Sequence, residues 1–179
     1  MKILKSLASM LLVLLLILPS QAAFAEDDFD YVALGDSLAF GINENNQSGK
    51  GYVDFFAQLL ANDVELTSYN KGFSIPGYTT VDVLADLENN VERSSYGEPD
   101  KVNMNITDAV AEAEIITLSV GANDVLRTLD RDAEGKLNYE VAEVAAAIQQ
   151  TAANVGQILT QLYEINETAE IYVMGFYNP

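Results

Sequence analysis

The chain has 179 residues, with 27 acidic and nine basic side chains, a net charge of −18 at pH 7, and neither histidine nor cysteine. An acidic excess of this size repels nucleic acid and anionic membranes, so we expect neither as a partner. Because histidine and cysteine are absent and no acidic cluster has ligand spacing, we expect no metal ion and no cofactor.

Residues 1–25 are typical of an export signal. Lys2 and Lys5 form a basic start, residues 7–18 are apolar, and Ala23-Phe24-Ala25 has the small-x-small spacing of a signal peptidase site. A membrane anchor is the alternative, but an apolar core of about 12 residues is shorter than the roughly 20 of a spanning helix. We therefore expect cleavage after Ala25, secretion into the extracellular space, no stable membrane anchor after cleavage, and one domain over residues 26–179.

The first predicted strand, residues 29–34, stops at Gly35 and leads into a turn with Asp36 and Ser37. In open α/β sheets the chemistry collects at the carboxyl ends of the strands, so a serine there is placed as a nucleophile. The alternative is an ordinary turn, since glycine, aspartate and serine are all common turn residues.

A second strand follows after one helix. Residues 42–51 read as a loop over the serine, residues 52–61 have helical apolar spacing, and residues 64–69 alternate as a strand before a turn at Asn70-Lys71-Gly72. A strand, helix, strand unit requires a crossover connection, which predicts a parallel sheet.

The next turn, residues 70–80, precedes a helix that Thr79 or Thr80 can cap. Gly77 lies just before this helix, where exposed backbone N–H groups can bind an anion or an oxyanion. Alternatively, the glycine only permits the backbone turn at the helix entry.

A third strand repeats the pattern of the first. Residues 89–105 are polar and predict a lid-like loop, residues 106–113 a short helix, and residues 115–120 a buried parallel strand. That strand stops at Gly121-Ala122-Asn123-Asp124, where Asn123 could cap the following segment or donate its amide to a developing negative charge.

The last third of the chain predicts a charged turn over residues 130–138, a long helix over residues 139–165, and a fourth strand over residues 169–176.

Ser37, Gly77 and Asn123 therefore each follow a predicted strand, and in a parallel sheet the three ends point the same way. A hydroxyl with two separate hydrogen-bond donors beside it is the minimal equipment for attacking an acyl carbonyl and holding the resulting oxyanion.

These turns resemble the conserved blocks of the SGNH hydrolases, also called GDSL esterases and lipases, and the chain is most similar to secreted Bacillus-type members. Gly35-Asp36-Ser37-Leu38 resembles the first block, Gly77-Tyr78-Thr79-Thr80 the second, with Gly72 still open for its glycine, and Gly121-Ala122-Asn123-Asp124 the third. The resemblance runs from Phe29 to the C-terminus. It implies a flavodoxin-like α/β/α sandwich, Ser37 as nucleophile, and an oxyanion hole from the N–H groups of Ser37 and Gly77 and the carboxamide of Asn123.

One block of the family has no counterpart. The family's Asp-x-x-His supplies the general base and the residue that orients it, whereas this sequence contains no histidine. Loss of the base from such a triad typically costs about 10⁶ in kcat and leaves about 10³ to 10⁴ over water. The resemblance therefore implies a C-terminally truncated and nearly inactive chain that lacks the last strand and helix; nothing in its spacing supports Lys71 as a substitute base.

The missing strand has a structural consequence. With the flavodoxin-like strand order 2-1-3-4-5, the fourth strand becomes an exposed, apolar edge, and we expect the chain expressed alone to aggregate.

The leading interpretation is a serine esterase or lipase whose partner is a small-molecule or lipid ester, hydrolysed through an acyl-enzyme at Ser37. The alternative is a non-catalytic secreted α/β module that binds a lipid or glycan, and the remaining possibility is a structural domain with coincidental turns. The ester itself and the oligomeric state stay open.

Overall fold

The computed structural model describes residues 29–95 and 102–175. In chain order its elements are β1 (Phe29–Gly35), α1 (Ser37–Phe40), α2 (Tyr52–Asp63), β2 (Leu66–Ser74), α3 (Thr80–Glu88), β3 (Glu92–Ser94), β4 (Asn103–Asn105), α4 (Ile106–Glu112), β5 (Ile115–Ser119), α5 (Ala122–Leu126), β6 (Asp130–Arg131), β7 (Leu137–Asn138), α6 (Val141–Ile165) and β8 (Glu170–Val173). The predicted signal peptide lies outside the described residues.

A parallel sheet of four strands, in the order β2-β1-β5-β8, forms the centre of the fold. This order confirms the flavodoxin-like prediction for the first four main strands. Alternate residues of β1 point to opposite faces, as the pleat requires: Tyr31 and Ala33 enter one buried cluster, and Val32 and Leu34 enter the other.

The two clusters make the fold a three-layer α/β/α sandwich. On one face α2 packs its buried side chains Val53 and Ala57 against β1 and β2. On the other face α3, α4 and α6 cover the sheet through the buried residues Val83, Leu87, Val110, Ile158 and Leu162. The predicted fold class is therefore confirmed.

The second strand is longer than predicted. The sequence places a turn at Asn70-Lys71-Gly72, but β2 continues through these residues to Ser74. Lys71 is buried there, and its Nζ lies 2.7 Å from Asp54 Oδ2 on α2. This ion pair permits a charged side chain inside the sandwich. The turn instead occupies Ile75 to Tyr78, where Tyr78 N–H donates to the Ile75 carbonyl.

Two polar excursions contain short hairpins that the sequence interprets as loops. The predicted lid-like loop contains β3 paired antiparallel with β4, and the charged turn contains β6 paired with β7. Strands of two or three residues have too few positions to show an alternating pattern, which is why only their polarity was visible in the sequence. Residues 96–101 lie outside the described part.

β8 lies at the edge of the sheet and pairs with β5. The exposed fractions of Tyr172 and Val173 are 47% and 48%, so this edge strand presents apolar side chains to solvent. Within the described residues, no helix has the length and apolarity needed to cross a membrane.

Candidate active site

Ser37 is the first residue of α1, directly beyond the carboxyl end of β1. Asp36 caps this short helix, because its Oδ1 accepts a hydrogen bond of 3.0 Å from Leu38 N–H. Gly41 closes it in the left-handed conformation, with φ of 95°. The serine is half-buried at the start of a helix, where first-turn N–H groups have no acceptor within the helix.

Gly35 allows β1 and β5 to approach closely beneath the serine. Its φ is +154°, and a Cβ at this position would lie 2.3 Å from the Ser119 carbonyl oxygen. The following residue, Asp36, donates its backbone N–H to the same carbonyl over 2.9 Å. The nucleophile turn is thus fixed to the end of β5.

Gly77 lies in a tight turn beyond the carboxyl end of β2. Pro76 at the second position, Gly77 at the third with φ of +86° and the bond from Tyr78 N–H to the Ile75 carbonyl make this a type II β-turn. Ile75 N–H donates to the Gly35 carbonyl over 2.9 Å, so the turn starts beside the nucleophile turn. Gly77 itself is exposed and adjoins open space.

Gly72, which the sequence left as an alternative to Gly77, lies inside β2. Its N–H donates to Asn70 Oδ1 at 2.7 Å. A Cβ at this position would meet the Ser94 carbonyl oxygen at 2.2 Å, so this glycine accommodates the close passage of β3. Of the two glycines, only Gly77 lies in the turn beyond the strand.

Asn123 lies on α5, which follows the end of β5 after Gly121. Its Nδ2 donates to the Tyr78 carbonyl at 2.8 Å, next to Gly77. A carboxamide nitrogen has two N–H groups, so this bond fixes the orientation of the side chain and leaves a second donor. The amide does not cap α5, whose N-cap is Gly121.

The three turns therefore meet at one rim of the sheet. Gly35 is in register with Ser74 at the end of β2 and with Ser119 at the end of β5. The sequence-based geometry, with Ser37, Gly77 and Asn123 beyond the carboxyl ends of neighbouring strands, agrees with this placement. Their catalytic roles stay predictions.

Asp36 contributes a buried carboxyl directly beside the candidate nucleophile. Burial raises the pKa of this carboxyl above its usual range, against the opposing effect of the hydrogen bonds from Leu38 and Ser119. Ser119 Oγ donates to Asp36 Oδ1 at 3.3 Å. The Asp36 side chain thus holds the helix start that carries Ser37.

Two residues to which sequence analysis assigned no role, Asp124 of α5 and its C-cap Arg127, attach this helix to the start of α3 and to the Gly77 turn. Arg127 Nη2 donates to the Gly77 carbonyl at 2.9 Å, and Asp124 accepts hydrogen bonds from Thr80 at the start of α3. Asp124 was visible as part of the Gly-Ala-Asn-Asp turn, but its partner lies 44 residues away in the chain. No local pattern could have identified that partner.

Lys71 is not placed as a free base. Its Nζ contacts Asp54 Oδ2 at 2.7 Å and the Phe40 carbonyl at 3.2 Å, and only 3% of the residue is exposed. Its Nζ is therefore engaged with Asp54 and the Phe40 carbonyl, so the geometry gives no support for Lys71 as a substitute base.

An apolar cavity of about 470 Å³ opens beside the serine turn. Its wall combines Leu38 from α1 with Val125 and Leu126 from α5, Ile148 from α6 and Met174 beyond β8. Among the described residues, acidic side chains form no group of three that could hold a metal ion.

The parallel α/β/α sandwich, with its strand order β2-β1-β5-β8, is the flavodoxin-like fold of the SGNH hydrolases. The chain belongs to the GDSL-like lipase/acylhydrolase family, whose sequence profile matches residues 33–179.

Solved structures that resemble this chain include proteins named as esterases and lipases. The lipase Lip_vut3 from a goat rumen metagenome superposes with a TM-score of 0.61 and 24% identity, covering 84% of this chain and 65% of that one. The Clostridium thermocellum family 3 carbohydrate esterase gives a TM-score of 0.52 at 13% identity, covering 84% and 62%. At these identities the likeness concerns the fold.

One relative carries no stated activity in its name. The protein YpmR of Bacillus subtilis (strain 168), described as uncharacterized, is 26% identical over 148 residues, which is 82% of this chain and 51% of YpmR. The chain thus spans about half the length of this relative and 65% of the goat rumen lipase.

Proposed function

We propose that the rim of the sheet is a carboxylic ester hydrolase site in which Ser37 is the nucleophile. The observation that carries the proposal is the bond of 2.8 Å from Asn123 Nδ2 to the Tyr78 carbonyl, which brings a carboxamide donor to the Gly77 turn at the rim that Ser37 occupies. Ser37 Oγ attacks the ester carbonyl carbon, and the tetrahedral oxyanion accepts hydrogen bonds from Asn123 Nδ2 and the N–H groups of Gly77 and Ser37.

After the oxyanion forms, the proposed reaction is completed in two steps. Collapse of the tetrahedral intermediate breaks the bond to the alcohol, which leaves with a proton, and forms an acyl-enzyme at Ser37. Water then attacks the acyl carbonyl and releases the carboxylic acid, restoring the serine hydroxyl. The apolar cavity beside Leu38 offers room for the acyl part of a small-molecule or lipid ester.

Proton transfer limits what these 179 residues can do by themselves. They contain no histidine, and Lys71 is paired with Asp54. Without a general base, catalysis falls by about 10⁶, with a residual about 10³ to 10⁴ over water from the oxyanion donors. We therefore expect very slow ester turnover by this chain.

The second candidate is a non-catalytic secreted module that binds a lipid or a glycan in the same place. The apolar cavity beside Leu38 offers room for such a ligand whether or not Ser37 reacts. A structure entitled "The active site of a carbohydrate esterase displays divergent catalytic and non-catalytic binding functions" resembles this chain at a TM-score of 0.50 and 18% identity, so the fold accommodates both uses.

Labelling with a serine-reactive fluorophosphonate, followed by intact mass spectrometry, tests the proposal. We expect slow addition of one label, loss of that label in Ser37→Ala, and no change in Ser48→Ala, an exposed serine that serves as the control. Asn123→Ala should slow labelling by about 10²-fold, because one oxyanion donor is removed.

The outcomes separate the two candidates. Persistent labelling of Ser37→Ala removes this residue from the mechanism. Absence of labelling in the wild-type chain, together with measurable binding of a lysophospholipid micelle or an acetylated xylo-oligosaccharide, favours the binding module.

We further propose that the protein is exported and cleaved after Ala25. Basic, apolar and small-x-small segments in residues 1–25 support this. N-terminal sequencing of protein recovered from the medium should begin at Glu26; recovery of the uncleaved chain from the membrane fraction would contradict it.

A further inference from the structure

A mostly buried chain of hydrogen bonds connects the Asn123 turn to the first turn of α3 and to the middle of α6. Asp124 Oδ2 accepts from Thr80 N–H at 3.0 Å, and Asp124 Oδ1 accepts from the Thr80 hydroxyl. Asn154 Nδ2 on α6 donates to Thr80 Oγ1 at 2.8 Å, and Gln150 Nε2 donates to Asn154 Oδ1 at 2.8 Å. Thr80 is fully buried and Asn154 is 4% exposed.

The direction of these bonds specifies the chemistry at position 124. The Thr80 hydroxyl donates its only proton to Asp124 and accepts from Asn154, while the Thr80 backbone also donates to Asp124. Both donors of Thr80 therefore need acceptors, which a carboxylate supplies through two oxygens. An asparagine at position 124 would direct an NH₂ group towards a donor.

The same short helix and its C-cap residue contact the Gly77 turn at two further points. Asn123 Nδ2 binds the Tyr78 carbonyl, and Arg127 Nη2 binds the Gly77 carbonyl. α5 has only five residues, and a helix of this length cannot maintain its position without tertiary contacts. The half-buried Asp124 attaches this helix to α3 through the buried Thr80, and through Thr80 and Asn154 it is also attached to the 25-residue helix α6.

We propose that Asp124 is a positioning residue: through Thr80 and Asn154 it fixes the Asn123 carboxamide relative to the Gly77 N–H. The inference rests on the proposed function, because only an oxyanion site requires these two donors at a set separation. Displacement of about 1 Å in such a site costs about 10²-fold in rate, so a rigid attachment has a functional consequence.

The experiment compares Asp124→Asn and Thr80→Val with Thr80→Ser, which keeps the hydroxyl. Thr107→Val is the matched control, because Thr107 Oγ1 donates to Asn90 Oδ1 at 2.6 Å in the first turn of α4, away from Asn123. The probe is n-butylboronic acid, which forms a tetrahedral adduct with a serine oxygen and is followed by ¹¹B NMR, with Ser37→Ala as the blank.

We expect Asp124→Asn and Thr80→Val to weaken the boronate adduct by about 10- to 100-fold. Thr80→Ser should remain near wild type, and Thr107→Val should lower the melting temperature without affecting the adduct. In ligand-free protein, the ¹⁵N resonances of the Asn123 side chain and the Gly77 amide should shift in the first two variants and stay in place in the control.

Unchanged Asn123 and Gly77 resonances in Asp124→Asn and Thr80→Val would overturn the inference, even if both variants are less stable. If wild type and Ser37→Ala give the same ¹¹B spectrum, the proposed function fails, while the ligand-free resonances still decide whether Asp124 positions the two donors. Should Asp124→Asn and Thr80→Val fail to fold, Arg127→Met removes an exposed contact to the Gly77 carbonyl, and it should shift the Gly77 amide alone.

Discussion

Alanine substitutions at Gly77 and Gly72 should both lower stability, but only the substitution at Gly77 should slow the reaction of Ser37. At Gly77 a Cβ adjoins open space, so the cost comes only from the φ of +86°. A non-glycine residue in the left-handed region costs about 1–2 kcal/mol. At Gly72 a Cβ would lie 2.2 Å from the Ser94 carbonyl oxygen and 3.0 Å from Asn70 Oδ1, so β3 must move. Overpacking of this kind typically costs about 1–3 kcal/mol and occasionally more.

The type of the Gly77 turn indicates how the backbone strain in Gly77→Ala is relieved. Alanine disfavours the type II turn and favours type I, and the two differ by a flip of the central peptide, here between Pro76 and residue 77. That flip turns the residue 77 N–H by about 180° and removes one donor from the proposed oxyanion site. We therefore expect Gly77→Ala to slow fluorophosphonate labelling of Ser37 by about 10²-fold.

Urea unfolding and labelling on the same preparations separate the two effects. At an m-value of about 2 kcal/mol/M, a loss of 1.5 kcal/mol lowers the urea midpoint by about 0.8 M. Gly72→Ala should lower the midpoint at least as much as Gly77→Ala, while its folded fraction labels at close to the wild-type rate. If Gly77→Ala labels normally and Gly72→Ala does not, Gly72 is the donor and the assignment of the second block is wrong.

Three further substitutions test the capping, packing and edge contacts. Asp36→Asn keeps the acceptor for Leu38 N–H and removes a buried ionisable group. Because the folded-state pKa of Asp36 is raised, wild-type stability should fall as pH rises from about 4 through that raised pKa. The urea midpoint of the variant should lack this fall with pH. Equal pH slopes would contradict it. Asn166→Ala removes a buried amide that donates to the carbonyls of Val110, Ala111 and Ala113. We therefore expect the free energy of unfolding to fall by about 2–4 kcal/mol. A loss below about 1 kcal/mol would show that water replaces the amide. Val173→Lys on the edge strand β8 should reduce self-association in light scattering, with exposed Val141→Lys as the control, and wild-type protein that stays monomeric would refute the aggregation hypothesis.

The buried strands were predictable because consecutive residues in each of them are apolar. β1 and β5 are covered on both faces, so their sequences are continuous apolar runs rather than alternating ones, and both were found within one residue of their observed ends. The long helix α6 was predicted from its apolar spacing and differs only by the first two residues.

The errors occur where a distant partner overrides local preference. Asn70, Lys71 and Gly72 have the composition of a turn, yet they form the middle of β2 because Asp54 on α2 neutralises Lys71 inside the sandwich. The contact of Asp124 with Thr80 is equally distant in sequence, which is why the Gly-Ala-Asn-Asp motif indicated the amide but gave no role to the carboxylate beside it.

The length of β2 decides which glycine can reach the serine. Gly35, Ser74 and Ser119 form one row across three neighbouring strands, and each of the three site turns begins just beyond this row. Had β2 ended at Tyr69, as its turn-like residues suggest, the turn would begin five residues earlier, roughly 16 Å back along the strand at about 3.3 Å per residue. The carboxamide of Asn123 would then have no Tyr78 carbonyl to bind. The burial of one lysine is therefore part of the reason that three turns, far apart in the chain, meet at one rim.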